Sequence, residues 1–357
     1  MPDRKLELAE LRKRLQALDR DLLRVLEERG RASREICRLL EGEPVSLDPA
    51  ERAHLDAIAA ESTGVLPAAG LRSIFREVLA VARGIEQPAR VAYLGPEGGF
   101  CHAVAERQFG AGTVFVECAT VGAALEEVER GRALFAVFPF ESSVDGLVQT
   151  SINALEQSSL SLIAERSMPA TYDLVGHATV LSEVRKLYAT ALAHASCERF
   201  VARELGQVTI VDVRSPVAAA ELARTDVSGA ALVPESCGQA AELSVVRANV
   251  GDAADTHFRY GIAGARPASR SGDDTTCVLF SVDDAPGALY EVLRHFAERG
   301  INLKKLQSRP VNAASWDYVF YVEVSGHISD RSVVTALESV KRATKYLRPL
   351  GSFPNPP

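Results

Sequence analysis

Leu8, Leu11, Leu15, Leu18, Leu22 and Val25 recur at spacings of three and four, with charged residues between them. That is the period of a helix with one apolar seam, so the pattern predicts a single long helix, packed in a helical hairpin or against a partner. Asp48-Pro49-Ala50-Glu51 reads as a second helix start, with Asp at the N-cap, Pro at N1 and Glu at N3. A third helix is expected from about Ala69 to Ile85. From Val91 the period changes. Strand-like Val91-Ala92-Tyr93-Leu94 leads into Gly95-Pro96-Glu97-Gly98-Gly99 and a helix from about Cys101 to Phe109. A second unit of the same kind follows: a strand over Leu134–Phe138, a loop over Pro139–Gly146 and a helix over Leu147–Leu155. Such alternation predicts an α/β domain. Near the C-terminus, Thr276–Val282 is β-rich, and Leu289, Val292, Leu293 and Phe296 have helical spacing with Gly300 at the expected C-cap. Another strand, then Trp316–Val324, then a helix over Ser332–Tyr346 give the order β-α-β-β-α of a small α+β sandwich.

Two breaks divide these patterns. Gln87-Pro88 closes the helical part, and the Pro/Gly/Ser-rich stretch from Gly264 to Asp274 reads as a linker. The expected segments are 1–87, 90–264 and 272–357, an ordinary division for 357 residues. Lys and Arg number 40 against 47 Asp and Glu, a net charge of −7 with no basic run, which argues against nucleic acid or an anionic membrane as partner. No apolar stretch is long enough to span a bilayer. The charged N-terminus carries no signal-peptide core, and the six cysteines include no C-x-x-C pair, so they read as reduced thiols of a cytoplasmic protein.

Candidate chemistry sits in the loops. A Gly-rich turn between strand and helix, as at Gly95–Gly99, can offer backbone N–H groups to an anion. The glycine at Pro286-Gly287-Ala288-Leu289 lets a ligand approach the backbone at a helix N-terminus, where a carboxylate is favoured. By themselves these features give a small acidic ligand and no reaction.

The residues also resemble known families. Gly287-Ala288-Leu289-Tyr290-Glu291 and Gln307-Ser308-Arg309-Pro310 resemble the GAL-type turn and ESRP-type strand end of phenylalanine-binding ACT domains. Gly95–His102, Pro139–Gly146 and Thr256-His257-Phe258 resemble three motifs of prephenate dehydratase. Residues 1–87 are similar to the all-helical chorismate mutase domain that precedes the dehydratase in bifunctional P-proteins, so the resemblance covers nearly the whole chain. It implies an all-α N-terminal domain, a two-lobed α/β dehydratase domain like type II periplasmic binding proteins, and an α+β ACT domain. The implied reaction takes prephenate to phenylpyruvate, water and carbon dioxide without a metal or organic cofactor. Thr256, Glu141 and His102 are the implied catalytic residues. Gly98, Gly99, Cys101, Ser142, Ser143 and Phe258 would bind substrate, Arg12 and Arg29 would clamp chorismate, and Gly287, Ala288, Leu289, Gln307, Ser308, Arg309 and Pro310 would hold L-phenylalanine. A homodimer or higher homo-oligomer is expected.

The sequence also departs from these patterns. Leu40 and Arg52 stand where the mutase has its lysine and glutamate, which predicts impaired mutase activity. Gly99 replaces a threonine, Cys101 a serine or threonine, Ser142 an asparagine and His257 an arginine, and Ala189-Thr190-Ala191-Leu192 replaces a S-H-P-Q run. The alternative expectation is therefore a catalytically degenerate paralogue that binds phenylalanine as a regulatory protein.

Overall fold

The computed structural model describes residues 2–39, 49–62, 64–83, 90–110, 112–253, 256–310 and 318–355. They form two compact units.

The first is helical. α1 (Pro2–Leu39) is one continuous helix of 38 residues, followed by α2 (Pro49–Ala60) and α3 (Ala68–Arg83). At 1.5 Å per residue α1 is about 57 Å long. α1 packs on α3, and Arg72 Nε donates to Asp56 Oδ1 at 2.9 Å to tie α3 to α2. The leucine seam is only partly covered: Leu8, Leu11, Leu15, Leu18 and Leu22 remain 48% to 60% exposed in the single chain. Asp48, the expected N-cap of α2, lies outside the described residues, as does Leu40.

The second unit takes in most of the chain from Arg90 onward, except that Phe109–Val114 groups with the first. Its first lobe contains β1 (Arg90–Leu94), α4 (Phe100–Phe109), β2 (Val114–Cys118), α5 (Val121–Glu129), β3 (Phe135–Ser142), β4 (Gly146–Leu147), α6 (Gln149–Gln157) and β5 (Ser161–Pro169). The chain then crosses to a second lobe: β6 (Tyr172–Gly176), β7 (Lys186–Ala189), α7 (Ala191–Ser196), α8 (Glu198–Phe200), β8 (Thr209–Asp212), α9 (Pro216–Thr225), β9 (Gly229–Pro234), α10 (Glu235–Ala240) and β10 (Ser244–Arg247). It returns along β11 (His257–Gly264), which lies between β3 and β5 and is antiparallel to both. The second lobe has its own five-stranded sheet, ordered β10-β6-β9-β7-β8. Two crossing segments joining two α/β lobes is the architecture that the sequence led us to expect.

The C-terminal module is β12 (Asp274–Ser281), α11 (Ala288–Ala297), β13 (Leu303–Pro310), β14 (Tyr318–Ser325), α12 (Arg331–Ala343) and β15 (Tyr346–Pro354). Val292, Phe296, Val333 and Leu337 of the two helices cover one face of its sheet, against Val278, Phe280 and Val322. The other face packs on the first lobe, where Cys277, Leu279, Val319 and Tyr321 share a core with Phe138, Phe140 and Leu155. The final strand is an addition to the expected order. The helix predicted to run to Tyr346 stops at Ala343, and β15 lies between β12 and β5. Because Gly351 pairs with Leu162 of β5, the module and the first lobe form one ten-stranded sheet, ordered β13-β14-β12-β15-β5-β11-β3-β1-β2 with β4 paired to β3.

The stretch between β11 and β12 is anchored rather than loose. Asp274 accepts backbone bonds from Ser271 and Gly272 at 3.0 Å each, and buried His327 bonds the Ala268 carbonyl through Nε2 at 3.0 Å.

Candidate active site

β3 runs on to Ser142, so Pro139–Ser142 belongs to a strand and only Ser143–Asp145 forms the turn before β4. The cause is pairing with β11, which places Phe258 opposite Ser142 and Arg259 opposite Glu141. Ser143 N donates to the His257 carbonyl at 2.9 Å, and His257 N donates to Ser143 Oγ at 3.0 Å. On the other side, Ala170 N donates to the Thr256 carbonyl at 2.8 Å. The Thr256 carbonyl is thus tied to Ala170, its N–H donates to the Ala253 carbonyl at 3.1 Å, and its neighbour His257 is tied to Ser143. The Thr256 side chain is half-buried, and among the described residues nothing bonds its hydroxyl. Phe258 and Tyr260 share a face, their ring centroids 6.1 Å apart, as residues two apart on a strand do.

Glu141 does not join this group. The pairing slips between Arg259 and Tyr260, leaving Phe140 as an extra residue on β3. Glu141 shares the face of Arg259, opposite to that of Ser142 and Phe258, and points at the C-terminal module. Its carboxylate takes a bond from Arg259 Nη1 at 2.5 Å and another from Lys305 Nζ. Burial alone would raise the Glu141 carboxyl, but the bonds from Lys305 and Arg259 outweigh it and hold the group below its ordinary value of 4.5. Arg259 is shared further with Glu165 of β5 and with Glu323 of β14, the latter at 2.8 Å. Desolvation works against the guanidinium, yet its bonds to Glu165 and Glu323 prevail and raise its pKa. A carboxylate held charged by two cations is poorly suited to proton transfer; Glu141 is built to anchor its strand.

The Gly-rich loop also differs from expectation. Glu97 N donates to Glu117 Oε2 at 3.0 Å, Gly98 N to His102 Nδ1 at 3.4 Å, and Gly99 N to the Pro96 carbonyl at 3.0 Å. These N–H groups close the turn on itself and are not presented to an anion. His102 Nδ1 also lies 3.9 Å from Glu106 Oε2. The ring packs 4.9 Å from Tyr93 and 5.3 Å from Phe115, centroid to centroid.

Gly98 and His102 do line a cavity of about 500 Å³, formed between α4 and the helices α9 and α10, with Glu97, Glu106, Glu221, Arg224, Cys237 and Glu242. Four carboxylates against one arginine make a poor seat for a dianion, so the cavity itself is not the place where two substrate carboxylates would rest. Cys237 there is pushed up to about 11 by burial first and by Glu106 and Glu97 second.

Several other expected contacts are committed internally. Burial pushes the Cys101 thiol up, and the side chain is in the core. Ser142 Oγ accepts from the backbone N–H groups of Val144 and Asp145, both at 3.2 Å, which stiffens the turn. In the second lobe Thr190 caps α7 by accepting from Ala193 N at 3.2 Å, so its hydroxyl does not replace the absent imidazole of that run.

Arg12 is exposed and Arg29 half-buried on α1. The position that replaces the mutase lysine, Leu40, lies outside the described residues, and Arg52 is placed only as backbone within α2. In the C-terminal module Gly287 has φ +85 at the N-terminus of α11, and nothing lies within 4 Å of where a Cβ would stand. The backbone of Gly287-Ala288-Leu289 is therefore open to a ligand. On β13 the expected effector residues divide by face. Ser308 pairs with Phe320, on the helix side with Leu289, whereas Gln307 and Arg309 pair with Tyr321 and Val319 on the side of the first lobe. Pro310 ends the strand opposite Tyr318.

Sequence reasoning missed Lys305, Arg259, Glu165 and Glu323 as a cluster. A signal existed: Glu323 is a lone carboxylate in Val319-Phe320-Tyr321-Val322-Glu323-Val324, and such a residue in an apolar strand calls for a cation. Among the described residues no group of three or more His, Cys, Asp or Glu is placed to hold a metal, and no described helix is long and apolar enough to cross a membrane.

Comparison with known proteins adds to this picture. The family description "prephenate dehydratase" matches residues 91–268, and "ACT domain" matches 278–342. A curated "bifunctional chorismate mutase/prephenate dehydratase" of Aquifex aeolicus is 32% identical over 98% of this chain and 98% of its own length. Among solved structures, a prephenate dehydratase of Arthrobacter aurescens in complex with L-Phe is 32% identical, with a TM-score of 0.63 over 75% of this chain and 90% of that one. GqqA, described as a novel type of quorum quenching acylase, is 27% identical with a TM-score of 0.62, over 75% of this chain and 98% of its own.

Proposed function

Since the chain belongs to the bifunctional chorismate mutase/prephenate dehydratase family, we propose that it is a prephenate dehydratase of L-phenylalanine biosynthesis, responsive to L-phenylalanine through its ACT domain. The observation that carries this reading is Thr256: a half-buried hydroxyl with no partner among the described residues, on backbone fixed between Ser143 and Ala170. As the bond to the departing carboxylate breaks, its electron pair enters the ring and the C–OH bond opens, so the leaving oxygen needs a donor. Thr256 donates that hydrogen bond to the oxygen as it leaves with the C–O electron pair, and the departing hydroxide takes a proton from solvent to become water. The likeness to a protein described as an acylase means that fold alone does not choose the chemistry, so the reading rests on Thr256 and its surroundings.

Purified protein given prephenate is expected to form phenylpyruvate, followed by its absorbance in alkali. Thr256→Ala should lose roughly 100- to 1,000-fold in kcat, the usual effect of deleting one transition-state donor. Wild-type protein that yields no phenylpyruvate at high concentration would end this reading.

The domain limits that go with it are 1–87, 90–264 and 272–357. We assign the first domain to dimerisation through the exposed α1 seam, with mutase activity impaired by Leu40 and Arg52, and we place the protein in the cytoplasm. A second reading, a phenylalanine-binding regulatory protein, is favoured by the closed Gly-rich loop and by the acidic cavity beside it. Calorimetry with L-phenylalanine beside the turnover assay separates the two: heat without turnover selects the second.

A further inference from the structure

β13 touches the first lobe at every second residue. Lys305 bonds Glu141, the last residue but one of β3. The Gln307 amide lies against Gly146, close enough that a Cβ there would stand 3.2 Å from Gln307 Nε2. Arg309 bonds Asn153 and Glu156 of α6 and is only 8% exposed. The three side chains thus hold the start of the Ser142–Gly146 turn, its end, and the helix beyond it. Between them, Leu306 and Ser308 face the other way, toward the helix layer in which Leu289 sits.

The turn they hold is stiff. Ser142 Oγ binds two of its N–H groups, Gly146 turns the chain at φ +76, and Ser143 is bonded in both directions to His257, the neighbour of Thr256. The ionic cluster behind it is unbalanced. Two cations, Arg259 and Lys305, serve three carboxylates, Glu141, Glu165 and Glu323, all at least three-quarters buried. Displacing Lys305 leaves Arg259 to be redistributed among all three. A strand that shares one apolar layer with Leu289 on its outer side, through Leu303 and the paired Phe320, and grips the turn beside Thr256 on its inner side can pass a displacement from one to the other.

We propose that Lys305, Gln307 and Arg309 are positioning residues through which β13 sets the Ser142–Gly146 turn, and with it Thr256, in response to a ligand at Gly287–Leu289. This rests on the dehydratase reading for its consequence, although the coupling itself can be measured without turnover. The primary test is amide hydrogen exchange over 142–148 in the full chain, with and without saturating L-phenylalanine, beside calorimetry of phenylalanine binding. Wild-type protein is expected to change exchange there by at least threefold. Lys305→Met should still bind phenylalanine but lose that change, and Lys305→Arg should restore it. Glu141→Gln, which removes the same bond from the other side, stands in if the lysine variant does not fold. In the activity assay, the fold-change in kcat produced by phenylalanine should fall toward one in Lys305→Met, with KM within twofold of wild type. No phenylalanine-dependent change in the wild-type turn overturns the proposal, whether or not prephenate is consumed. So does a Lys305→Met protein with the full wild-type response. A wild type that responds in exchange but makes no phenylpyruvate defeats the dehydratase reading alone.

Discussion

Replacing Gly351 by alanine tests whether the C-terminal module and the first lobe are one sheet. Gly351 has φ +148, a conformation that residues with a Cβ rarely adopt, and a Cβ built there would collide with the Leu162 carbonyl oxygen and lie 2.6 Å from the Leu162 nitrogen. Neither atom can give way easily, since Leu162 is also paired with Ala263 of β11 in mid-sheet. The steric part should cost about 1–3 kcal/mol, as for other insertions into a packed interior. The backbone part adds roughly 1–3 kcal/mol for a side chain in a glycine region. Gly300→Ala separates the two, because Gly300 has φ +66 but open space around it, and should lose only about 1–2 kcal/mol. At about 2–4 °C per kcal/mol for a unit of this size, Gly351→Ala should melt roughly 5–20 °C lower in calorimetry, and Gly300→Ala a few degrees lower. Equal losses in the two variants would mean that β15 and β5 are not joined as described.

Other expectations follow from the ionic cluster, the thiols and the seam. Arg259→Met should destabilise by about 3–5 kcal/mol in urea, since it strands buried carboxylates. The sign of the pH effect is also fixed. Glu141 is held below 4.5 in the folded protein, so its contribution is complete above that pH and is lost as acid carries it through its lowered value. Cys101 should resist iodoacetamide at neutral pH until the protein unfolds, because burial raises its thiol and hides it; rapid native labelling, read by mass spectrometry, would contradict its placement. Leu15→Lys with Leu22→Lys should convert a dimer to monomer in sedimentation at micromolar concentration, and an unchanged mass would remove α1 as the interface.

The sequence was legible wherever local chemistry decides structure. α11 is an amphipathic run between Gly287 and Gly300, both at positive φ, and it ends at Ala297 with its C-cap at Glu298, two residues before the expected Gly300. The helices of the first unit were readable from leucine spacing and from Pro49. β15 was hidden, because Pro349, Gly351 and Pro354 argue against a strand, and only a bulge opposite Cys277 and the neighbouring β5 make one possible. The site divides in the same way. Thr256, Ser143 and Phe258 come together through a register that alternation foreshadows. Glu141 leaves them because β3 runs through Pro139 to Ser142, so that Glu141 faces the side opposite to Ser142, whereas Pro139 argued for a loop there. The closed Gly95–Gly99 loop depends on Glu117, whose carboxylate could equally have faced solvent.

The join at Gly351 has a further meaning for anyone dissecting this chain. β5 is nine residues long, and one of its sides is met by β15 at Leu162. Cutting the chain before Asp274 would bare that side of β5 together with the apolar surface around Phe140 and Leu155, an open template for another copy's strand. A shortened protein that precipitates would therefore say nothing about regulation. Releasing the enzyme from its effector calls for substitutions on β13, with the sheet left whole.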